Sequence, residues 1–253
     1  PGTHNPRMAA AEARTAERST GGAAVWSPFT GGISDYYLGM GQTAENVAQF
    51  ENVSREEQDE FAAQSQQRAT AALERGFFER EITPIHTVDA DGNPVVVKQD
   101  DCIRAGTTKE KLGELKPVFR PDGTVTAGNA CPLNDGAAAV VVMSDTKAKQ
   151  LGLTPLARIV SSGVSGLNPE IMGLGPIEAC RQALKRAGMT IDQIDLVEIN
   201  EAFAAQVIPS AKHLGISWDK LNVHGGAIAL GHPFGMTGAR IMTTLIHGLQ
   251  ETN

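Results

Sequence analysis

Asn222-Val223-His224-Gly225-Gly226-Ala227-Ile228-Ala229-Leu230-Gly231-His232-Pro233-Phe234-Gly235-Met236-Thr237-Gly238-Ala239-Arg240 holds five glycines in nineteen residues. Leu221 to Gly226 reads as a strand running into a glycine turn, and Thr237 to Leu249 as an amphipathic helix. Strand, turn and helix in that order are the unit of an α/β architecture with a mostly buried sheet. Glycines at 225, 226, 231, 235 and 238 remove side chains where the chain enters a helix, so backbone can approach a ligand and present free N–H groups. His232 lies in this loop, restrained by Pro233. A helix N-terminus disfavours imidazolium and so favours a neutral, base-competent ring. The plainer alternative is a structural glycine turn with a hydrogen-bonded histidine, the commoner case for an isolated His.

Moving outward, Ile194 to Ile199 reads as a strand that delivers Asn200 and Glu201 to its carboxyl end, and Glu201 to Leu214 as a helix kinked or broken near Pro209. Ligands of open α/β sheets bind outside the carboxyl ends of strands. On this segment alone, however, Asn200 as a helix cap is the better reading. Pro176 to Ala187 is a helix with proline at its start and Gly188 just past its end. Leu156 to Val160 reads as a further strand. The run Gly136 to Met143, small and β-branched throughout, suits a strand buried on both faces. Before it, Thr124 to Gly136 is a loop of small residues fit for a ligand passing close to backbone. Cys131, in that loop, is rejected as a nucleophile: no base is placed beside it locally, and free cysteines are mostly buried small hydrophobes.

The first half is more helical. From Thr43 a short helix places Ala44, Val47 and Ala48 on one face and ends near Asn52. Ser54-Arg55-Glu56-Glu57 is a capping box. Phe61, Ala62, Ser65, Ala69, Ala72 and Leu73 then recur at helical steps until Gly76, leaving Glu56, Asp59, Glu60, Arg68 and Glu74 for water. Ile82 to Val88 and Val95 to Val97 form a small hairpin across Ala90-Asp91-Gly92-Asn93. Lys109 to Leu115 adds a helical turn or two. Residues 1–35 show little periodicity beyond a short polar helix over Ala9 to Arg18, and stay unassigned.

The 253 residues carry a net charge of −7, which speaks against a nucleic-acid partner. No run approaches the roughly 18 apolar residues needed to span a bilayer, so no membrane partner is expected. Cys102, Cys131 and Cys180 are odd in number and widely spaced. They suggest neither a disulfide framework nor a metal site, and a reducing cytoplasm is the expected location.

Taken together, Asn200-Glu201-Ala202-Phe203-Ala204, the run Gly225 to Pro233, the loop Thr126-Ala127-Gly128-Asn129-Ala130 and Met40 to Ala48 resemble thiolase signatures, in that family's order and spacing. The resemblance spans roughly residues 36–253. It implies a five-layered α/β/α/β/α fold with an inserted loop domain, incomplete in this chain. On it, residues 36–133 match the CoA-binding loop domain, 134–150 the last part of the N-terminal half, and 151–253 a truncated C-terminal half. It further implies acyl transfer between acyl-CoA or 3-ketoacyl-CoA and CoA through a cysteine-bound acyl group. No cofactor or metal is implied, with CoA as a substrate, and the assembly is a homodimer or homotetramer.

By the same resemblance His232 is the base that activates the nucleophilic thiolate and helps bind the thioester oxygen, while Asn200 holds the water that completes the oxyanion hole. Met40, Leu115, Phe119, Ala127, Cys131, Ala202 and Phe203 are the positions matching CoA contacts. Cys131-Pro132 stands where Ser-Gly is common, which bears on one hydrogen bond to CoA. The family's nucleophilic cysteine lies upstream of the loop domain and its acid/base cysteine downstream of the final helix; neither is expected in this sequence. A catalytically inactive CoA-binding or partner-binding module is therefore the alternative reading.

Overall fold

Ala44, Val47 and Ala48 do form one buried face, on helix α1 (Met40–Phe50), and the polar residues between them are buried as well. A computed structural model describes residues 38–252; the expected polar helix over Ala9 to Arg18 lies outside them. The buried polar groups of α1 satisfy the irregular chain packed around it. Glu45 accepts the backbone N–H groups of Thr124 (3.0 Å) and Val125 (3.0 Å), Gln42 donates to the Phe119 carbonyl (2.8 Å), and Asn46 donates to the Glu170 carbonyl (2.9 Å). A loop with no ladder of its own needs such side-chain partners.

Helix α2 (Arg55–Glu74) begins at the expected capping box, with Glu57 N–H donating to Ser54 Oγ (3.1 Å) and Ser54 N–H to Glu57 Oε2 (2.9 Å). It ends before Gly76, which takes the left-handed conformation. Asp59 differs from expectation: it is buried, paired with Arg55 at 2.6 Å, and accepts from Asn129 at 2.9 Å. Arg68 is half-buried and caps the carbonyls of Leu221 and Trp218. Asp59 and Arg68 thus anchor loops, whereas Glu56, Glu60 and Glu74 are exposed as expected.

A 3₁₀ turn over Phe77–Arg80 leads to the hairpin β1 (Ile85–Val88) and β2 (Pro94–Val97), antiparallel with Ile85 opposite Val97. Asp89 Oδ1 accepts the N–H groups of Asp91 and Asn93 and closes the turn. The helices that follow are α3 (Lys109–Gly113), α4 (Asp145–Gln150), α5 (Gly175–Ala187), α6 (Ala204–Leu214), α7 (Ala227–Leu230) and α8 (Thr237–Thr252). Helix α6 is central: it packs on α1, α2 and α5 and is buried almost throughout, Pro209 included. The main core joins Ala44, Phe61, Val125, Val207, Ile208 and Leu221, and a second gathers Ala69, Ala72, Phe77, Phe78, Ala229 and Leu230.

The expected buried strands are the main correction. Gly136 to Met143 and Leu156 to Val160 join no sheet among the described residues, and Val141 and Leu156 are 85% and 68% exposed. Ile194 to Ile199 and Leu221 to Gly226 form one parallel bridge, Val197 to Leu221, beyond which the Asn222 side chain takes up the Ile199 N–H and carbonyl (both 2.8 Å). The physical reason is that apolar, β-branched composition reports a fit to a pleated surface, whereas a parallel strand is formed only by neighbours that take up its N–H and C=O groups.

Candidate active site

Asn200 and His232 come from different halves of the chain's final third and meet side chain to side chain. Asn200 caps no helix. Helix α6 starts three residues later than its earliest expected residue, with Phe203 at the N-cap and no side-chain cap bond. The Asn200 amide nitrogen instead lies 3.2 Å from His232 Nε2 and 3.4 Å from Nδ1. The other side of the ring is held by the first residue of α8: Thr237 Oγ1 is 2.6 Å from His232 Nδ1 and donates to the Pro233 carbonyl at 3.1 Å. With its own proton committed to Pro233, the hydroxyl accepts from Nδ1–H, and Nε2 is left as the acceptor facing Asn200. The main chain is fixed too, with His232 N–H donating to Asn134 Oδ1 at 3.2 Å. Burial pushes the imidazole below the ordinary histidine range and the Arg240 cation adds to the effect. The ring is therefore neutral near pH 7, with Nε2 as its proton acceptor.

These groups border an open cleft of ≈ 620 Å³ lined by Leu133, Asn134, Asp135, Gly136, His232 and Phe234. The Phe234 ring meets the imidazole edge-on, 5.2 Å between centroids. The turn of the loop depends on Gly231, whose φ of +92° disfavours a side chain and whose open face is occupied by the Asn134 amide.

Beneath the cleft sits a residue to which the sequence alone assigns no role. Glu201 is fully buried and accepts from Ser65 Oγ on α2 (2.6 Å), from Asn222 Nδ2 (2.8 Å) and from the Ile228 N–H on α7 (3.1 Å). One carboxyl thus ties together α2, the glycine turn and the segment carrying Asn200. Gly226 is required here because the Glu201 carboxyl occupies the space a Cβ would take. Thr237 and Asn134 likewise stand in the motifs without an assigned task; a hydroxyl five residues after the histidine, at a helix start, is the available signal.

The positions matched to CoA fall into one neighbourhood. The Phe119 ring packs against Gly41, beside Met40, and meets Phe203 edge-on at 6.1 Å. Cys131 N–H donates to the Ala202 carbonyl at 3.0 Å, and Ala130 bridges Phe203. Leu115 packs on Gly128, next to the exposed Ala127. The segment Asn200 to Phe203 connects this neighbourhood to the imidazole. None of the three cysteines is poised as a thiolate. Burial pushes Cys131 up to about 11 and also raises Cys180 and Cys102, the last with help from Asp101. No cluster of three metal-ligating side chains exists among the described residues, and no helix among them is long and apolar enough to cross a membrane.

Comparison with known proteins bears on family and fold. The thiolase N-terminal domain matches residues 3–146, reaching back beyond residue 36, and the thiolase C-terminal domain matches residues 153–253. An acetyl-CoA acetyltransferase of Pseudomonas aeruginosa is 53% identical over 223 residues, 88% of this chain and 55% of that protein. A probable acetyl-CoA acyltransferase of Staphylococcus epidermidis is 50% identical, over 88% and 56%. Among solved structures, the Bacillus anthracis acetyl-CoA acetyltransferase superposes with a TM-score of 0.81 at 49% identity, covering 84% of this chain and 54% of that one. Human mitochondrial 3-ketoacyl-CoA thiolase gives 0.79 at 46% identity, over 85% and 54%. The chain spans about half the length of the curated relatives it matches, and the fold is the thiolase-like α/β fold, present here in part. Two domain matches covering nearly the whole sequence, with identities near one half, establish that this chain belongs to the thiolase family.

Proposed function

We propose that this chain supplies the CoA-binding and general-base part of a thiolase-type site, for acyl transfer between acyl-CoA or 3-ketoacyl-CoA and CoA. The observation that carries the reading is the neutral imidazole of His232, held between Thr237 and Asn200 with Nε2 turned to the amide. In this reading Nε2 takes the proton of an attacking thiol, and the transferred group passes through a cysteine thioester. That cysteine is none of the three in this sequence. Asn200 Oδ1, buried and without a hydrogen-bond partner among the described residues, is the acceptor an oxyanion-hole water would need. Met40, Leu115, Phe119, Ala127, Cys131, Ala202 and Phe203 contact the CoA moiety, and their shared neighbourhood supports this.

With the function goes a division of the chain: 36–133 as the CoA-binding loop domain, 134–150 as the last part of the N-terminal half and 151–253 as the C-terminal half, with residues 3–35 falling inside the match to the thiolase N-terminal domain. Family resemblance supports a homodimer or homotetramer, and three free thiols support a reducing cytoplasm.

The raised thiols favour a second reading, a CoA-binding module without turnover of its own. Two measurements on the purified chain test what both readings require. Calorimetry with CoA should give saturable heat, reduced by Phe203→Ala, and no heat at high CoA concentration sinks both. Thiolysis of acetoacetyl-CoA, followed as loss of enolate absorbance, should be undetectable. Turnover would show that a residue set aside above serves as the nucleophile.

A further inference from the structure

Two buried side chains lie just behind the groups that hold His232. Glu198, two residues before Asn200, has a side chain 5% exposed; Arg240, on α8 one turn after Thr237, is 12% exposed. Arg240 Nη1 and Glu198 Oε2 are 3.6 Å apart, and among the described residues none of the guanidinium nitrogens nor Oε2 makes a hydrogen bond. A guanidinium brings five N–H donors, so burying it without hydrogen bonds is expensive and calls for a reason beyond packing. Its surroundings supply one: the Arg240 charge acts on Glu81, Asp100, Glu198, Glu201 and His232. The pair also links two elements that each give His232 one contact, the segment ending in Asn200 and the helix opening with Thr237.

We infer that Arg240 is a positioning residue for His232: paired with Glu198 it holds the Asn200 segment against the start of α8, and its fixed positive charge opposes a second cation on the imidazole. The inference rests on the reading of His232 as base and adds to it what keeps that base neutral. Burial outweighs Arg240 and pushes the Glu198 carboxyl up to about 8. The imidazole titrates below that, where Glu198 is protonated; the other acids on which the Arg240 charge acts are Glu81, Asp100 and Glu201, each also pushed up by burial. Of the other groups around the ring, Asn200, Thr237, Asn134 and Phe234 carry no charge, and Asp135 lines the same cleft with its carboxylate.

The test follows proton uptake at His232 by NMR titration of its imidazole C–H in the 253-residue chain, the resonance assigned by its loss in His232→Gln. Arg240→Met should shift the midpoint upward, toward the ordinary imidazole value of about 6.5. Arg240→Lys, which keeps the charge, should leave it low, and Glu198→Gln should leave it unmoved. Equal shifts in the Met and Lys variants would assign the effect to packing and overturn the inference, as would no shift in either. If Arg240→Met does not fold, the Glu198→Met/Arg240→Met pair carries the same prediction, and failure of both to fold makes the pair structural and ends the proposal. Since no acyl transfer or CoA binding enters the readout, either can be absent without touching this result, and a negative result leaves His232 free to be the base.

Discussion

Replacing Glu201 by alanine strands three buried donors at once: the Ser65 hydroxyl, the Asn222 amide and the Ile228 N–H. Each unsatisfied donor costs about 1–3 kcal/mol, and relief of the buried carboxyl's own desolvation offsets part of the sum, leaving a net loss of roughly 2–5 kcal/mol. Against a whole-domain stability of about 5–15 kcal/mol this is a large fraction. With an m-value of about 2–3 kcal/mol per M, the urea midpoint should fall by roughly 1–2 M. Circular dichroism across a urea series measures this directly. Ser65→Ala removes one of the three donors in advance, so the double variant should lose less than the two single losses added. Glu201→Gln, which keeps one acceptor oxygen but turns an NH₂ toward a donor, should fall between wild type and alanine. A midpoint for Glu201→Ala that coincides with wild type would refute the argument, because it would mean that these donors find water instead. So would strict additivity with Ser65→Ala.

Three further expectations come from the same geometry. The folded state holds a proton on Glu198 up to about pH 8 that the unfolded chain releases near 4.5; this stability is full below 4.5 and is lost as pH rises through 8. The loss is up to ~1.4 kcal/mol per pH unit, and urea midpoints for wild type and Glu198→Gln should diverge across that window; parallel curves would count against it. Cys131, with its thiol pushed up to about 11, should react with a small alkylating agent near pH 8 roughly 100-fold more slowly than free cysteine, measured by mass spectrometry of the labelled peptide. Gly226→Ala drives a methyl into the Glu201 carboxyl and should cost roughly 1–3 kcal/mol, whereas Gly235, with nothing within 4 Å of where a methyl would sit, should accept alanine without measurable loss in the same urea assay.

What can be read from residues alone is whatever the local chain decides. The capping box at Ser54, the glycine stop at 76, the Asp89-to-Asn93 hairpin turn and the Gly188 end of α5 are short-range hydrogen-bond or φ requirements, and each stands where expected. The long apolar run over Gly136 to Met143 misleads because burial is decided by neighbours distant in sequence, and among the described residues none pairs with it. Asn200 misleads for the opposite reason. Asparagine caps helices so well that proximity to α6 outweighs its actual partner, thirty-two residues onward. Helix α1 shows a third limit: its buried Gln42, Glu45 and Asn46 look like a solvent face by composition, and only the irregular chain around them explains their burial.

That last arrangement has an evolutionary corollary. Gln42 and Glu45 grip the stretch from Phe119 to Val125 through peptide groups of Phe119, Thr124 and Val125, and Arg120 returns the grip with its side chain, donating to Gln42 Oε1 (2.8 Å) and Asn46 Oδ1 (2.6 Å). Asp122, exposed on that stretch, takes no part in the grip, whereas a side chain at Gly123 would meet the Glu45 carboxyl. The mooring therefore depends on the identity of Arg120 and Gly123, while an outward position such as Asp122 is free to change.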